Sequence, residues 1–413
     1  MAYYSIFPEK DTTIYSHPDR KNMNTGKDEI LELVEEKLST STNSFFSSRI
    51  LIRFKNEEIK DVIQTKLTGV AKEVNTSNVK VCLELFSTEH KNLAKDHIVE
   101  VYALSESMAW EEGTQRYDAN PPSTTTGSFQ AANGATWIYR NESTGSAWPT
   151  GSGVGGGQYP AWVDGTETEY SSGTEFPAGG GVWYTGLGGG AMATADFKAT
   201  NDFFAEDNLD LNLNVTTLIQ KFSASYYQGA AFPTGVVNNG FIIKKPTLTE
   251  LDNFGSGYLS YFSSNTHTIY PPKLTFKWDD SSYNPSGSIL NSGDIFLSLY
   301  NNKAEFQRKS KQRFRLTVRK RYPNRAFVTT SNYLNTAYLP ESSYYSVRDA
   351  ETDEVIIPFD TEYTKLSADS TGMYFDLFME GFQPERYYKL MFRSDNNEGT
   401  QIFDEDYFFK IIR

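Results

Sequence analysis

Hydrophobic and polar residues alternate with a period of about two through most of this chain, the spacing of strands with one face inward. The run Ser48-Arg49-Ile50-Leu51-Ile52-Arg53-Phe54 is typical. Similar runs at 11–15, 30–34, 79–86 and 97–104 predict further strands. Leu209, Leu211, Leu213 and Val215 alternate with Asp210, Asn212 and Asn214. Asn238-Asn239-Gly240 reads as a turn into a strand at 241–244, and 259–263 and 274–278 complete a first series. A second series occupies 295–299, 314–319, 355–357, 374–378 and 387–392. Only 56–63 and 216–222 read as short helices.

Residues 108–200, inside the first series, differ in character. That stretch holds Trp110, Trp137, Trp148, Trp162 and Trp183, all but one of the chain's 6 tryptophans, among glycine runs such as Gly155-Gly156-Gly157 and Gly188-Gly189-Gly190. A flexible glycine linker would lack the large aromatics, so an ordered but irregular excursion is expected, projecting from the first series. At 413 residues the chain exceeds one ordinary sandwich. The expected fold is all-β: two antiparallel β-sandwich domains, with a Gly/Trp-rich irregular insertion at 108–200. The first, jelly-roll-like, is made of 1–107 and 201–280, and the second, immunoglobulin-like with roughly seven strands, of 281–413. The 28 Phe and 26 Tyr agree with strands, and Gly, Ser, Thr and Asn with tight turns.

The formal net charge of -13 opposes binding to nucleic acid or anionic membrane as a whole. No apolar run reaches the length of a membrane span, and the first residues do not read as a signal peptide, so assembly in a cytoplasm is expected. Cys82, the single cysteine, sits in an alternating stretch and reads as a small core residue. His17, His90, His97 and His267 have no ligand spacing, and no nucleophile, zinc or phosphate-loop motif occurs. The expectation is no enzyme, no metal and no cofactor. The acidic clusters Asp279-Asp280 and Asp404-Glu405-Asp406 lack the alternate spacing of calcium ligands.

Two features remain as candidate contact sites. Arg313, Arg315, Arg319 and Arg321 fall on one face of a strand whose other face carries Phe314, Leu316 and Val318. That face is either solvated or a dock for an acidic partner protein. It lacks the interleaved aromatics of a nucleic-acid site. Trp110 and Trp137 read as core. Trp148, Trp162 and Trp183 divide between local packing and contact with a partner, since exposed indoles stack on sugars or anchor interfaces.

Asp11-Thr12-Thr13-Ile14, Asn24-Thr25-Gly26, Arg49-Ile50-Leu51-Ile52-Arg53-Phe54 and Ala109-Trp110-Glu111-Glu112-Gly113 form an ordered set. Ala135-Thr136-Trp137, Leu213-Asn214-Val215-Thr216, Asn238-Asn239-Gly240-Phe241 and Pro272-Lys273-Leu274 continue it. Together they resemble the DNRLRE-type β-sandwich family of cell-surface modules over about 11–278, with an enlarged Gly/Trp region as the departure. The opening AYYSIFPEKDTTIYSHP, with ESSYYSVRDAETDEVIIPFD and GFQPERYYKL, is similar to virion structural proteins of large tailed phages of marine bacteria. The first resemblance implies a carbohydrate-binding adhesin recognising a host glycan. The second implies a virion component in tail, neck, baseplate or capsid decoration. Its partners would be other virion proteins in a multi-copy symmetric assembly.

Overall fold

The structure, a computed structural model, describes residues 2–17, 20–37, 45–67, 69–70, 72–74, 78–94, 96–104, 108–117, 133–148, 179–183, 198–204, 208–227, 237–250, 257–300, 302–322 and 336–413. The first series of elements is β1 (Ala2–Ile6), β2 (Lys10–Tyr15), β3 (Ile30–Lys37), β4 (Phe45–Arg53), α1 (Asn56–Asp61), β5 (Val79–Leu85), β6 (Ser87–Lys91), β7 (His97–Ala103), β8 (Tyr139–Asn141), β9 (Ser146–Ala147), β10 (Lys198–Phe203), β11 (Leu211–Asn214), α2 (Thr216–Tyr227), β12 (Phe241–Lys244), α3 (Thr247–Glu250), β13 (Gly257–Phe262) and β14 (Lys273–Trp278). The second is β15 (Ser288–Ile289), β16 (Ile295–Tyr300), β17 (Glu305–Gln307), β18 (Lys311–Lys320), β19 (Ala337–Tyr338), β20 (Ser343–Asp349), β21 (Val355–Ile357), β22 (Ser367–Asp369), β23 (Gly372–Phe378), β24 (Tyr387–Asn396) and β25 (Gly399–Ile412).

These strands make an all-β, sandwich-like fold. One sheet runs β1-β14-β5-β11, and a larger one runs β10-β7-β12-β4-β3-β13-β6 with β2 also on β4. Beyond Trp278 the orders are β15-β19-β18-β23-β22, with β16 on β18, and β17-β25-β24-β20-β21. Pairing is antiparallel among the described strands except for the short parallel pairs β15 with β19 and β17 with β25. No strand before Trp278 pairs with one after it among the described residues.

Several strands are silent in the sequence pattern for a physical reason. In β20 nearly every side chain is buried, so hydrophobic and polar positions do not alternate. In β6 the Ser-Thr-Glu-His-Lys edge is largely exposed. In β25 the pattern breaks at a bulge, where Asp406 takes a φ of 54°. The α2 helix runs to Tyr227, past the expected end at 222, and α1 continues into a π-helical turn, Val62–Lys66.

Three hydrophobic clusters fill the fold. The first packs Ile50 and Ile52 of β4, Val99 and Val101 of β7 and Phe241 and Ile243 of β12 against Phe222 and Phe276. The intervening residues of the same strands, Leu51, Tyr102 and Ile242, point the other way into a separate cluster with Trp110, Trp137, Trp148 and Trp183. That opposite face is therefore roofed by the described parts of 108–148 and 179–183. These described parts lie over the sheet instead of projecting from it, which is why these strands are apolar on both sides.

The third cluster belongs to the second series, and an exchange of residues ties it to the first. Tyr3 of β1 enters the second-series core, while Phe378 of β23 enters the first-series core. The Tyr4 ring meets Phe378 edge-on at 5.8 Å and 88°, and Trp278 packs on Phe378 at 6.0 Å. Lys66 spans the seam, 3.1 Å from Asp61 and 3.0 Å from Glu380. Aromatic pairs of this kind add about 0.5–1.5 kcal/mol each beyond their area.

Candidate functional site

The tryptophan-lined roof is held by a buried ionic clasp. Arg49 lies inside the fold at 1% exposure because β4 is covered on both faces. Its Nε and Nη2 donate to the two Glu250 carboxylate oxygens at 3.1 and 2.8 Å, and Nη1 donates to the Gly180 carbonyl at 2.7 Å. The guanidinium also lies over the rings of Trp137 (4.7 Å) and Trp183 (5.0 Å). Lys244, fully buried, is 3.5 Å from Glu250 and donates to the Lys245 carbonyl at 2.6 Å. Burial pushes its pKa down, Glu250 opposes that and Arg49 adds to it. Gly180, at a φ of +85°, is required here, since a Cβ would stand 2.5 Å from Arg49 Nη1 and 2.7 Å from the Trp137 ring.

The tryptophans are thereby assigned. Trp110 and Trp137 are interior, as read from sequence. Trp148 and Trp183 are interior too, at 1% and 4% exposure, so neither offers a ring to a glycan or a partner in this fold. The Trp148 indole donates to the Thr136 carbonyl at 3.0 Å, and that of Trp110 donates to the Asn239 carbonyl at 2.9 Å. Trp162 lies outside the described residues.

On β18 the predicted two-sidedness is present. Phe314, Leu316 and Val318 are buried, and the arginines face outward. Register, invisible in the sequence, places carboxylates beside them. Arg313 pairs across the sheet with Asp376 and holds it bidentately at 2.8 and 3.0 Å. Arg315 holds Asp369 at 3.1 and 2.9 Å and keeps its carboxyl well below the usual range. Both cations flank the Tyr374 ring, at 4.2 and 5.4 Å. Arg319 stacks over Phe296 at 4.3 Å, and Arg321 lies one residue past the strand with its N–H on the Asp294 carbonyl. Two of the four arginines thus spend their charge inside the sheet. Because solvent screens these pairs, Arg313→Ala and Arg315→Ala should each cost only about 0.2–1 kcal/mol in urea unfolding. A loss above about 2 kcal/mol would show that the pairs carry the sheet.

The remaining candidates from the sequence do not converge. Cys82 is buried on β5, and burial raises its thiol pKa. His97 stacks on Phe203 at 4.8 Å. Asp404 and Asp406 both approach Lys389, at 2.7 and 3.4 Å. Among the described residues no group of three His, Cys, Asp or Glu side chains could hold a metal.

A cleft of about 500 Å³ opens where β3, β13 and β6 meet the residues just after the Trp110 segment. Leu31 and Leu33 of β3 point into the core, so Glu32, Val34 and Glu36 line the other side. Pairing of β13 with both β3 and β6 brings Tyr258 and Lys91 to the same place. Tyr117 closes the cleft, its N–H on Asp28 at 3.3 Å and its ring edge-on to Tyr15 at 5.9 Å.

No family model, curated protein or solved structure matches the chain.

The cleft went unseen in the sequence. Its residues come from distant positions, and no spacing signal joins Glu32 to Tyr117 or Tyr258. Only the order β3-β13-β6 does so.

Proposed function

We propose that this chain is a non-enzymatic structural component of a bacteriophage particle, in tail, neck, baseplate or capsid decoration, acting through protein–protein contacts. The observation that carries the reading is the reciprocal seam, in which Tyr3 and Phe378 are exchanged between the two cores. A particle component must hold its neighbours at a fixed spacing. Two β bodies locked by shared aromatic core residues supply that rigidity, where a flexible tether would not. The likeness of the opening and late segments to virion proteins of large tailed phages supports the same reading. The alternative, a carbohydrate-binding adhesin for a host glycan, looked to Trp148, Trp162 and Trp183 for its stacking surface. With Trp148 and Trp183 interior, protein contact is the reading we keep.

Quantitative mass spectrometry of gradient-purified particles is expected to find the chain at a fixed copy number per particle, with side-chain-resolution imaging placing it between other virion proteins. Its absence from washed particles would remove this reading.

A further inference from the structure

Among the described residues, charge pairing inside the cleft leaves one carboxylate over. Four glutamates line it, against Arg20 and Lys91. Glu36 is paired with Arg20 at 3.7 Å, Glu89 with Lys91 at 2.7 Å, and Glu35 with Lys245 behind the wall at 2.9 Å. Glu32 has no cation within salt-bridge distance among the described residues. It accepts instead from two phenols, the Tyr258 hydroxyl on Oε1 at 2.9 Å and the Tyr15 hydroxyl on Oε2. Burial, reinforced by Glu32 itself, pushes the Tyr258 hydroxyl up to about 12 and raises Tyr15 as well, so both remain donors. A phenol that donates needs an acceptor, so the Glu32 oxygens are held as acceptors, with lone pairs to spare. The tyrosine rings already attract cations here: Arg20 lies 5.4 Å from the centre of Tyr117, and Lys91 lies 5.8 Å from that of Tyr258.

We propose that this cleft receives a basic side chain of a partner protein, arginine in preference to lysine, with its cation on Glu32 and its flat face toward Tyr117 or Tyr258. A divalent metal ion would need several oxygen ligands, and the described residues of the cleft offer a single uncompensated carboxylate. A planar guanidinium can bridge a carboxylate and stack on a ring at once. The net charge of -13 draws such a partner in. The proposal rests on the protein-contact role above, and the two fail separately: particle composition decides that role, and peptide titration decides the cleft.

The test uses the full chain and two blocked tripeptides, acetyl-Gly-Arg-Gly-amide and its neutral isostere with citrulline, followed by broadening of the peptide NMR signals. The arginine peptide is expected to bind and the citrulline peptide not to. Glu32→Gln should weaken binding by about tenfold or more, as loss of a hydrogen bond to a charged group implies. Glu405→Gln, an exposed acid on β25, should leave it unchanged. Should Glu32→Gln fail to fold, Tyr117→Leu at the rim is expected to weaken binding in its place. Equal binding of the citrulline peptide, indifference to Glu32→Gln in a folded variant, or binding of a neutral oligosaccharide but not of the arginine peptide would overturn the assignment.

Discussion

Replacing Glu250 by glutamine is expected to cost this protein about 3–5 kcal/mol, the usual penalty for breaking a buried ion pair by removing one partner. Folded proteins have only about 5–15 kcal/mol in hand, so the loss would be visible in any unfolding measurement. The reason is local. Arg49 and Lys244 are both buried, and Glu250 is within ion-pair reach of each. Without it Arg49 and Lys244 remain in a buried site, with the Trp137 and Trp183 rings and the Gly180 and Lys245 carbonyls beside them. Because that clasp holds Gly180 and the tryptophan roof against β4, indole fluorescence of the native state should change along with stability. Replacing both partners with apolar residues, Arg49→Met with Glu250→Leu, should cost less than Glu250→Gln alone, since only Lys244, and no longer Arg49 as well, loses its carboxylate. A Glu250→Gln variant within about 1 kcal/mol of the parent would show that the clasp is not what secures the roof.

A second large effect concerns pH. Asp11, at 1% exposure, lies on β2 beside Ser264, whose N–H and hydroxyl sit 2.7 and 3.0 Å from its oxygens. Burial raises its carboxyl from 3.8 to about 7, and the Ser264 donors offset this only in part. The nearby Glu112 adds to the rise, and Lys27, itself 2.5 Å from Glu112, opposes it. A carboxyl whose folded pKa exceeds its unfolded value stabilises the fold fully below about pH 4. That contribution disappears as pH climbs through about 7. The interval corresponds to roughly 4 kcal/mol. Asp11→Asn stays neutral and can still accept from Ser264. In a series of denaturant titrations, the variant's stability relative to the parent should therefore rise between pH 4 and pH 7 and level off above. If the parent instead gains on the variant as pH rises from 3 to 5, the Ser264 donors outweigh burial and the argument fails.

How much of this was legible in advance depended on whether a residue's neighbours come from its own strand. That β4, β7, β12 and β14 are strands followed from local pattern, which is a property of one segment, while the covering of both faces of β4, β7 and β12 did not. The outward arginines and inward Phe314, Leu316 and Val318 of β18 were legible for the same reason. Whether those arginines were free was not, because Asp376 and Asp369 come from β23 and β22 and meet them only through cross-strand pairing. Trp148 and Trp183 posed the same difficulty: a large indole in a glycine-rich stretch fits a contact surface or a roof equally well. The choice was made by Leu51, Tyr102 and Ile242, apolar residues on the second face of a sheet that needed covering.

The sequence by itself therefore determined the all-β class and the two-sided polarity of β18, because propensity and period-two alternation act within a few neighbouring residues. The tertiary structure alone decided that Trp110, Trp137, Trp148 and Trp183 lie on the sheet, that Arg49 is a buried clasp and that Tyr3 and Phe378 change cores. It alone also left Glu32, among the described residues of its cleft, bound by two phenols and by no cation. Each of these depends on which strands become neighbours, and a sheet's order is set by the burial of whole faces rather than by any run of residues.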